Sequence, residues 1–275
     1  MADIDEISYA SPDDPPVKRL VIRAIERLSG QRELKRMYLE RKEHPVPGES
    51  FWNAAVRKLR LNIIFNAEAV AEIPAHGPVI VVANHPFGVI DGLVMCWLVA
   101  HVRMDFKALA HQLLTRAEEI RSFLLPIDFE ESKVALQTNI KTRAEATAFL
   151  KCGGALIVFP SGMVSTTPHL FSGHAEDPDW KTFTARLIIQ GKAPVVPIFF
   201  HGRNSCLFQI ASHVSMTLRL SLLLKEAHDR IGTDIRLRIG KRLPFEDLMA
   251  IHDRRKLMEF LRSSTYALAG QGPSS

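Results

Sequence analysis

Cysteine is scarce. Cys96, Cys152 and Cys206 are widely spaced within apolar segments, a pattern that supports neither a disulfide framework nor a paired-cysteine metal site and fits a reducing compartment. Long apolar runs are missing as well. A bilayer-crossing helix needs roughly 20 mostly apolar residues, whereas Leu218 to Leu224 is short and contains Arg219. The opening MADIDEISYASPDDPP is acidic and lacks the apolar core of a secretory signal peptide. These absences lead to the expectation of a cytoplasmic protein without signal peptide or transmembrane helix, peripheral on the inner face of the cytoplasmic membrane. Only three Tyr and three Trp are present, not interleaved with basic clusters, so no nucleic-acid partner is expected. The chain holds 11 His but no HExxH, and His169, His174, His201 and His213 show no ligand spacing, so no metal site is expected.

What is present is 275 residues with a formal charge of +5, enough chain for one catalytic unit. That charge suits nucleic acid, an anionic lipid or a phosphorylated substrate equally well, and composition alone does not choose among them. Residues 1–16 read as a flexible N-terminus, 17–75 as a basic helical region, 76–269 as an α/β domain and 270–275 as a disordered tail. Val17, Leu20, Val21, Ala24, Ile25 and Leu28 form one apolar stripe at helical spacing, with Lys18, Arg19, Arg23 and Arg27 opposite. Such a helix either lies on an anionic membrane surface or packs on its own core. Residues 51–65 read as a second helix of this type.

Beyond residue 76 the pattern changes to short apolar runs alternating with helical stretches. Strands are expected at Pro78–Ala83, Phe106–Leu109, Leu124–Ile127, Ala155–Phe159, Val195–Phe200 and Ile235–Ile239. Helices fit at 91–101, 110–120, 132–151, 181–190, 205–226 and 246–268. The alternation predicts an α/β fold with a largely parallel central sheet flanked by helices. Reactive residues in such sheets sit just past the carboxyl ends of strands.

Immediately past the first of these strands comes Asn84-His85-Pro86-Phe87-Gly88-Val89-Ile90-Asp91-Gly92. Histidine can take a proton from an attacking hydroxyl and return it to a leaving group, and a carboxylate on its other nitrogen fixes the tautomer. A loop histidine with Asp91 as a helix cap is the plainer alternative. A later strand runs into Phe159-Pro160-Ser161-Gly162-Met163-Val164-Ser165, a polar exit whose backbone N–H groups suit an oxyanion or a phosphate, or which is an ordinary strand-to-loop passage. A third runs into His201-Gly202-Arg203-Asn204-Ser205, where Arg203 offers a fork of donors to a phosphate or is a surface arginine.

Together and in this order, NHPFGVIDG, VFPSGMVS and APVVPIFFHGRNS resemble the blocks of the glycerolipid acyltransferase family, the lysophosphatidate acyltransferase superfamily, and within it the hemolysin-like or ornithine-lipid-type subgroup. The resemblance covers roughly residues 50 to 245. It implies acyl transfer from acyl-CoA or acyl carrier protein to a lysophospholipid or related lyso-lipid, with His85 as general base and Asp91 as its orienting partner. No cofactor beyond the thioester co-substrate is implied. Substrate contacts would fall on Asn84, Pro86, Phe87, Gly88, Phe159, Pro160, Ser161, Gly162, Ser165, Arg203 and Asn204, with Phe87, Met95 and Met163 as members of either the acyl channel or the core, Met95 on its helix fitting the core better. The Ser161–Gly162 turn is the expected oxyanion holder.

The departures from that family are specific. Five residues separate His85 from Asp91 where most members have four, Ser161 replaces a glutamate, and Met163 and Val164 stand where an arginine is usual. The middle block, Leu125-Pro126-Ile127-Asp128-Phe129-Glu130, is acidic rather than basic. The acceptor therefore either meets a replacement cation, Arg203, Lys181 or Arg186, or carries an amine or zwitterionic headgroup. Two other classes remain: a serine-type lipid hydrolase using Ser161 or Ser165, although the G-x-S-x-G elbow is absent, and a non-catalytic lipid-binding protein.

Overall fold

The computed structural model describes residues 30–127, 133–167, 175–214 and 216–270. The basic stripe at Val17–Leu28, the acidic Asp128–Glu130, His169, His174 and the tail from residue 271 lie outside the described residues. Helices α1 (Gln31–Glu43) and α2 (Phe51–Lys58) precede strand β1 (Asn62–Ile64). Then follow β2 (Val79–Ala83), α3 (Val89–Ala100), β3 (Phe106–His111), α4 (Glu118–Arg121), β4 (Leu124–Ile127), α5 (Lys133–Lys151) and β5 (Ala155–Val158). The chain continues through α6 (Phe183–Gly191), β6 (Val195–His201), α7 (Cys206–Val214), α8 (Met216–Asp229), β7 (Asp234–Ile239), α9 (Phe245–Met249) and α10 (Arg254–Tyr266).

The seven strands form one sheet in the order β1-β7-β6-β2-β5-β3-β4. Every neighbouring pair is parallel except β6 with β7, so the α/β, largely parallel architecture expected from the sequence is the one observed. Central strands buried on both faces read as unbroken apolar runs, and Val79–Ala83 is buried throughout. Its side chains alternate between two cores. Val79, Val81 and Ala83 pack with Ile90, Val94 and Leu98 of α3, and Ile80 and Val82 pack with Ala185 and Ile188 of α6 and Leu257 and Leu261 of α10. The ladder to β7 begins at Ile198↔Ile239, one residue past Pro197, whose ring has no N–H to donate.

The helix expected over 51–65 ends early. Helix α2 stops at Lys58, Arg60 takes a left-handed φ of 50°, and Asn62–Ile64 pairs parallel to β7. The turn is closed by Leu61 N–H on the Val56 carbonyl, and Asn62 Nδ2 donates to Asp234 Oδ1 at 2.9 Å. Apolar periodicity alone cannot register such a switch, because Ile63 and Ile64 also fit the helical stripe. Part of the stretch before residue 76 thus belongs to the sheet. The helix expected at 110–120 is likewise broken: β3 runs on to His111, a 3-10 turn covers Gln112–Arg116, and α4 is short. The C-terminal helix divides at Asp253, whose carboxylate accepts the N–H groups of Arg255 and Lys256 and starts α10 afresh.

Candidate active site

Strands β5, β2 and β6 are consecutive in the sheet, so their carboxyl ends bring together three blocks far apart in sequence. Asn84 couples two of them. Its Nδ2 donates to the Phe200 carbonyl at 2.9 Å and its Oδ1 accepts the Phe200 N–H at 2.7 Å. The exit of β2 is thereby held against β6, a binding role for Asn84 within the fold.

The chain then turns so that Asp91 faces back toward His85. Gly88 makes the turn at φ 75°, ψ −112°, a conformation that disfavours any side chain. A Cβ there would also lie 2.9 Å from Leu223 of α8. Asp91 falls in the first turn of α3, where one oxygen, Oδ2, accepts three donors: His85 Nδ1 at 3.0 Å, Phe87 N–H at 2.7 Å and Gly88 N–H at 2.9 Å. The two readings of Asp91 are thus one arrangement, since the carboxylate that caps the helix is also the one bonded to the histidine. Asp91 is fully buried, and its Oδ1 has no hydrogen-bond partner among the described residues. Burial pushes its carboxyl above the usual range, against the pull of His85 and the two amides.

His85 is held on several sides. Its ring stacks on Phe159 with centroids 4.0 Å apart, its carbonyl accepts the Ser165 N–H at 2.8 Å, and its own N–H donates to Asp177 Oδ1 at 3.1 Å. With Nδ1 on Asp91, Nε2 is the nitrogen left for an incoming group, on a side chain that keeps 18% of its surface exposed. Asp177, which sequence reasoning missed, lies almost wholly buried. Its Oδ1 also accepts the Ser165 hydroxyl at 2.5 Å, and its Oδ2 accepts Trp180 Nε1–H at 2.9 Å. Burial raises its carboxyl too. No local signal in the sequence marks it, because the partners that tie it to the site, His85 and Ser165, lie 92 and 12 positions away.

The block after β5 is turned inward. Ser161 Oγ donates to the Met163 carbonyl at 2.7 Å, and the Gly162 N–H donates to the Phe159 carbonyl at 3.0 Å. Of the turn expected to hold an oxyanion, the Gly162 amide is therefore committed within the turn itself. Pro160 offers its carbonyl to the Lys181 N–H. Among the described residues Ser161 bonds Met163 and Ser165 bonds Asp177, and neither hydroxyl is hydrogen-bonded to the His85 ring.

At the end of β6, Gly202 lies against Phe87, where a Cβ would come within 2.6 Å of the ring. Arg230 sits over the same ring at 4.1 Å and donates to the Arg203 carbonyl at 2.6 Å. Phe87 and Met95 are core residues, and Asn204 is buried with neither side-chain polar atom bonded among the described residues. Lys181 and Arg186 are exposed, and Arg186 lies on α6, against the sheet face opposite α3.

A mostly parallel α/β sheet carrying a buried carboxylate–histidine pair at its carboxyl edge defines a candidate acid–base catalyst. The sequence profile of the acyltransferase family matches residues 18–272. The chain belongs to that family. Two relatives are each named lyso-glycine lipid O-acyltransferase. The one from Phocaeicola vulgatus is 23% identical, covering 92% of this chain and 88% of its own. The one from Bacteroides thetaiotaomicron is 23% identical, covering 98% of this chain and 97% of its own. The crystal structure of the 1-acyl-sn-glycerophosphate acyltransferase PlsC from Thermotoga maritima aligns with a TM-score of 0.48 at 16% identity, over 96% of this chain and 86% of that one.

Proposed function

We propose that this acyltransferase moves a fatty acyl group from an acyl-CoA or acyl-ACP thioester to the hydroxyl of a lyso-lipid, with His85 as general base and Asp91 as its orienting partner. The observation that carries the reading is the bond from His85 Nδ1 to the buried Asp91 carboxylate, which reserves Nε2 for the reacting proton. The acceptor oxygen attacks the thioester carbonyl while Nε2 takes its proton. The tetrahedral intermediate collapses, the carbon–sulfur bond breaks, and the imidazolium returns the proton to the departing thiolate. Asp91 keeps the imidazole in the required tautomer and offsets its positive charge when protonated.

The names of the relatives support an acceptor built on an amino acid such as glycine. Working at an anionic membrane surface is supported by where exposed apolar side chains fall. Of the exposed large apolar side chains, Leu114, Leu136, Ile140, Leu207 and Ile210 lie on segments that follow the carboxyl ends of β3, β4 and β6, on the side of the sheet where His85 sits, while Val46, Met104 and Phe260 lie elsewhere. No helix among the described residues is long and apolar enough to cross a membrane.

The testing experiment is transfer of a labelled acyl group from acyl-CoA and from acyl-ACP onto a panel of lysophospholipids and lyso-amino-acid lipids, comparing wild type with His85→Ala. Product made by the wild type and lost in the variant supports the reading and names donor and acceptor. Absence of product with every donor and acceptor would favour a non-catalytic lipid-binding protein.

A further inference from the structure

Two buried arginines in this fold are treated very differently. Arg103 is fully compensated: it pairs with Asp105 through two nitrogens, at 2.8 and 2.6 Å, and donates to the carbonyls of Pro74, Gly77 and Gly153. Arg219 on α8 is as deeply buried, at 6% exposure. Yet its partners among the described residues are only the Val164 carbonyl and the ring of Phe208, 5.8 Å away. No carboxylate among the described residues pairs with it. Burial lowers its proton affinity with no nearby acid to oppose the effect. A guanidinium removed from water without a counter-ion is costly, and its planar fork of donors matches a carboxylate or a phosphate.

The place of this cation joins it to the site. Val164 lies one residue before Ser165, whose N–H holds the His85 carbonyl, and the Val164 side chain would touch a Cβ at Gly88 at 3.3 Å. Leu223, one helical turn beyond Arg219, closes over the same glycine. Phe208, on which the guanidinium rests, precedes Gln209, which bonds the Thr167 N–H and the Asn204 carbonyl. Asn204 in turn is 1% exposed with both side-chain polar atoms unbonded among the described residues. The cation thus lies beside the His85 loop, linked to the segment of the unbonded Asn204 amide only through Phe208 and its neighbour Gln209.

We propose that Arg219, set against Val164 and Phe208 beside the His85 loop, is the anion-binding subsite that takes the charged headgroup of the acceptor lipid, a carboxylate or a phosphate. The proposal rests on the acyl-transfer reading for its acceptor but not on His85 chemistry.

The test measures both binding and turnover with three lipids: a hydroxyacylated amino acid with a free carboxylate, lysophosphatidate, and uncharged monoacylglycerol. Affinities are read by calorimetry in neutral detergent on the His85→Ala protein with and without Arg219→Gln, and KM and kcat on the same Arg219 change with His85 intact. The expected result is a loss of at least roughly tenfold in affinity and KM for anionic acceptors, as for a charge-assisted hydrogen-bonded pair, with kcat within about threefold and monoacylglycerol unchanged. A loss for only one of the anionic lipids identifies that group as the headgroup. Arg219→Lys, which keeps the charge but loses the fork, should fall between. If Arg219→Gln does not fold, a loss in Arg219→Lys confined to anionic lipids carries the same conclusion. Unchanged affinity for both anions, or an equal loss for monoacylglycerol, overturns the subsite. Charge-dependent binding without turnover by the wild type would keep the subsite and sink the enzymatic reading.

Discussion

Asp177 and His85 are bonded through the main chain: the Asp177 carboxylate accepts the His85 N–H at 3.1 Å across 92 positions of sequence. The same oxygen accepts the Ser165 hydroxyl and its neighbour accepts Trp180 Nε1–H, so one buried acid ties the β2 exit to the β5 exit. Asp177→Ala strands three buried donors and should cost about 3 kcal/mol or more in urea unfolding. Asp177→Asn keeps the shape but loses part of the acceptor capacity. It should cost about 1–2 kcal/mol and lower kcat by roughly tenfold with KM little changed, the signature of a displaced His85. Full activity in Asp177→Asn would show that the strut does not position the histidine.

Gly88 links backbone geometry to the same pair. At φ 75° an alanine is strained, and its Cβ would lie 2.9 Å from Leu223 and 3.3 Å from Val164. Gly88→Ala should destabilise by about 1–3 kcal/mol and lower transfer activity more than the stability loss explains, because the Gly88 N–H is one of the donors on Asp91. Thermal melts alongside turnover on folded protein distinguish the two effects. A variant with unaltered melting and turnover would mean that α8 yields to the methyl group and the loop keeps its shape.

The serine hydroxyls are predicted to be dispensable. Ser161→Ala removes a bond to the Met163 carbonyl and Ser165→Ala one to Asp177, each costing about 1–2 kcal/mol. Transfer should survive both, within roughly tenfold. Assay of each variant decides the matter, and complete loss in either one would revive a serine nucleophile.

Much of this fold was legible in its amino-acid pattern because parallel central strands are continuous apolar runs: VIVVA, ALIV and VVPIFFH stand out between helical stretches. Strand β1 was not, since Ile63 and Ile64 prolong the apolar stripe of α2 and only the left-handed Arg60 marks the break. His85 and Asp91 stood out as candidates at a strand exit followed by a glycine turn, with a plain helix cap as the equal alternative, and their assignment as a pair came from the resemblance to the family's blocks. Asp177 and Arg219 were not, because what distinguishes them is burial and partners, which arise only when β5, β6 and α8 assemble around the β2 loop. The inward direction of the Gly162 amide is equally invisible in a Pro-Ser-Gly sequence.

The buried Asp91 carboxyl gives the fold a pH dependence opposite to that of an ordinary paired acid. Burial raises the Asp91 carboxyl above its ordinary value of 3.8. A group whose folded-state value is raised contributes stability below its unfolded value and loses it as pH climbs through the folded one. Wild type should therefore lose stability relative to Asp91→Asn as pH rises from about 4 toward 7, a difference that cancels the exposed carboxylates common to both proteins. Urea unfolding of both at several pH values reads it directly. Over the same range Asp91→Asn should transfer acyl groups at least roughly a hundredfold more slowly, since the neutral amide carries no charge to offset the imidazolium. A variant that gains stability while losing activity would mean that Asp91 is kept buried for the sake of His85 rather than for the fold. The opposite stability trend would mean that the three donors on Oδ2 outweigh desolvation, and that the carboxylate is itself part of what holds the loop together.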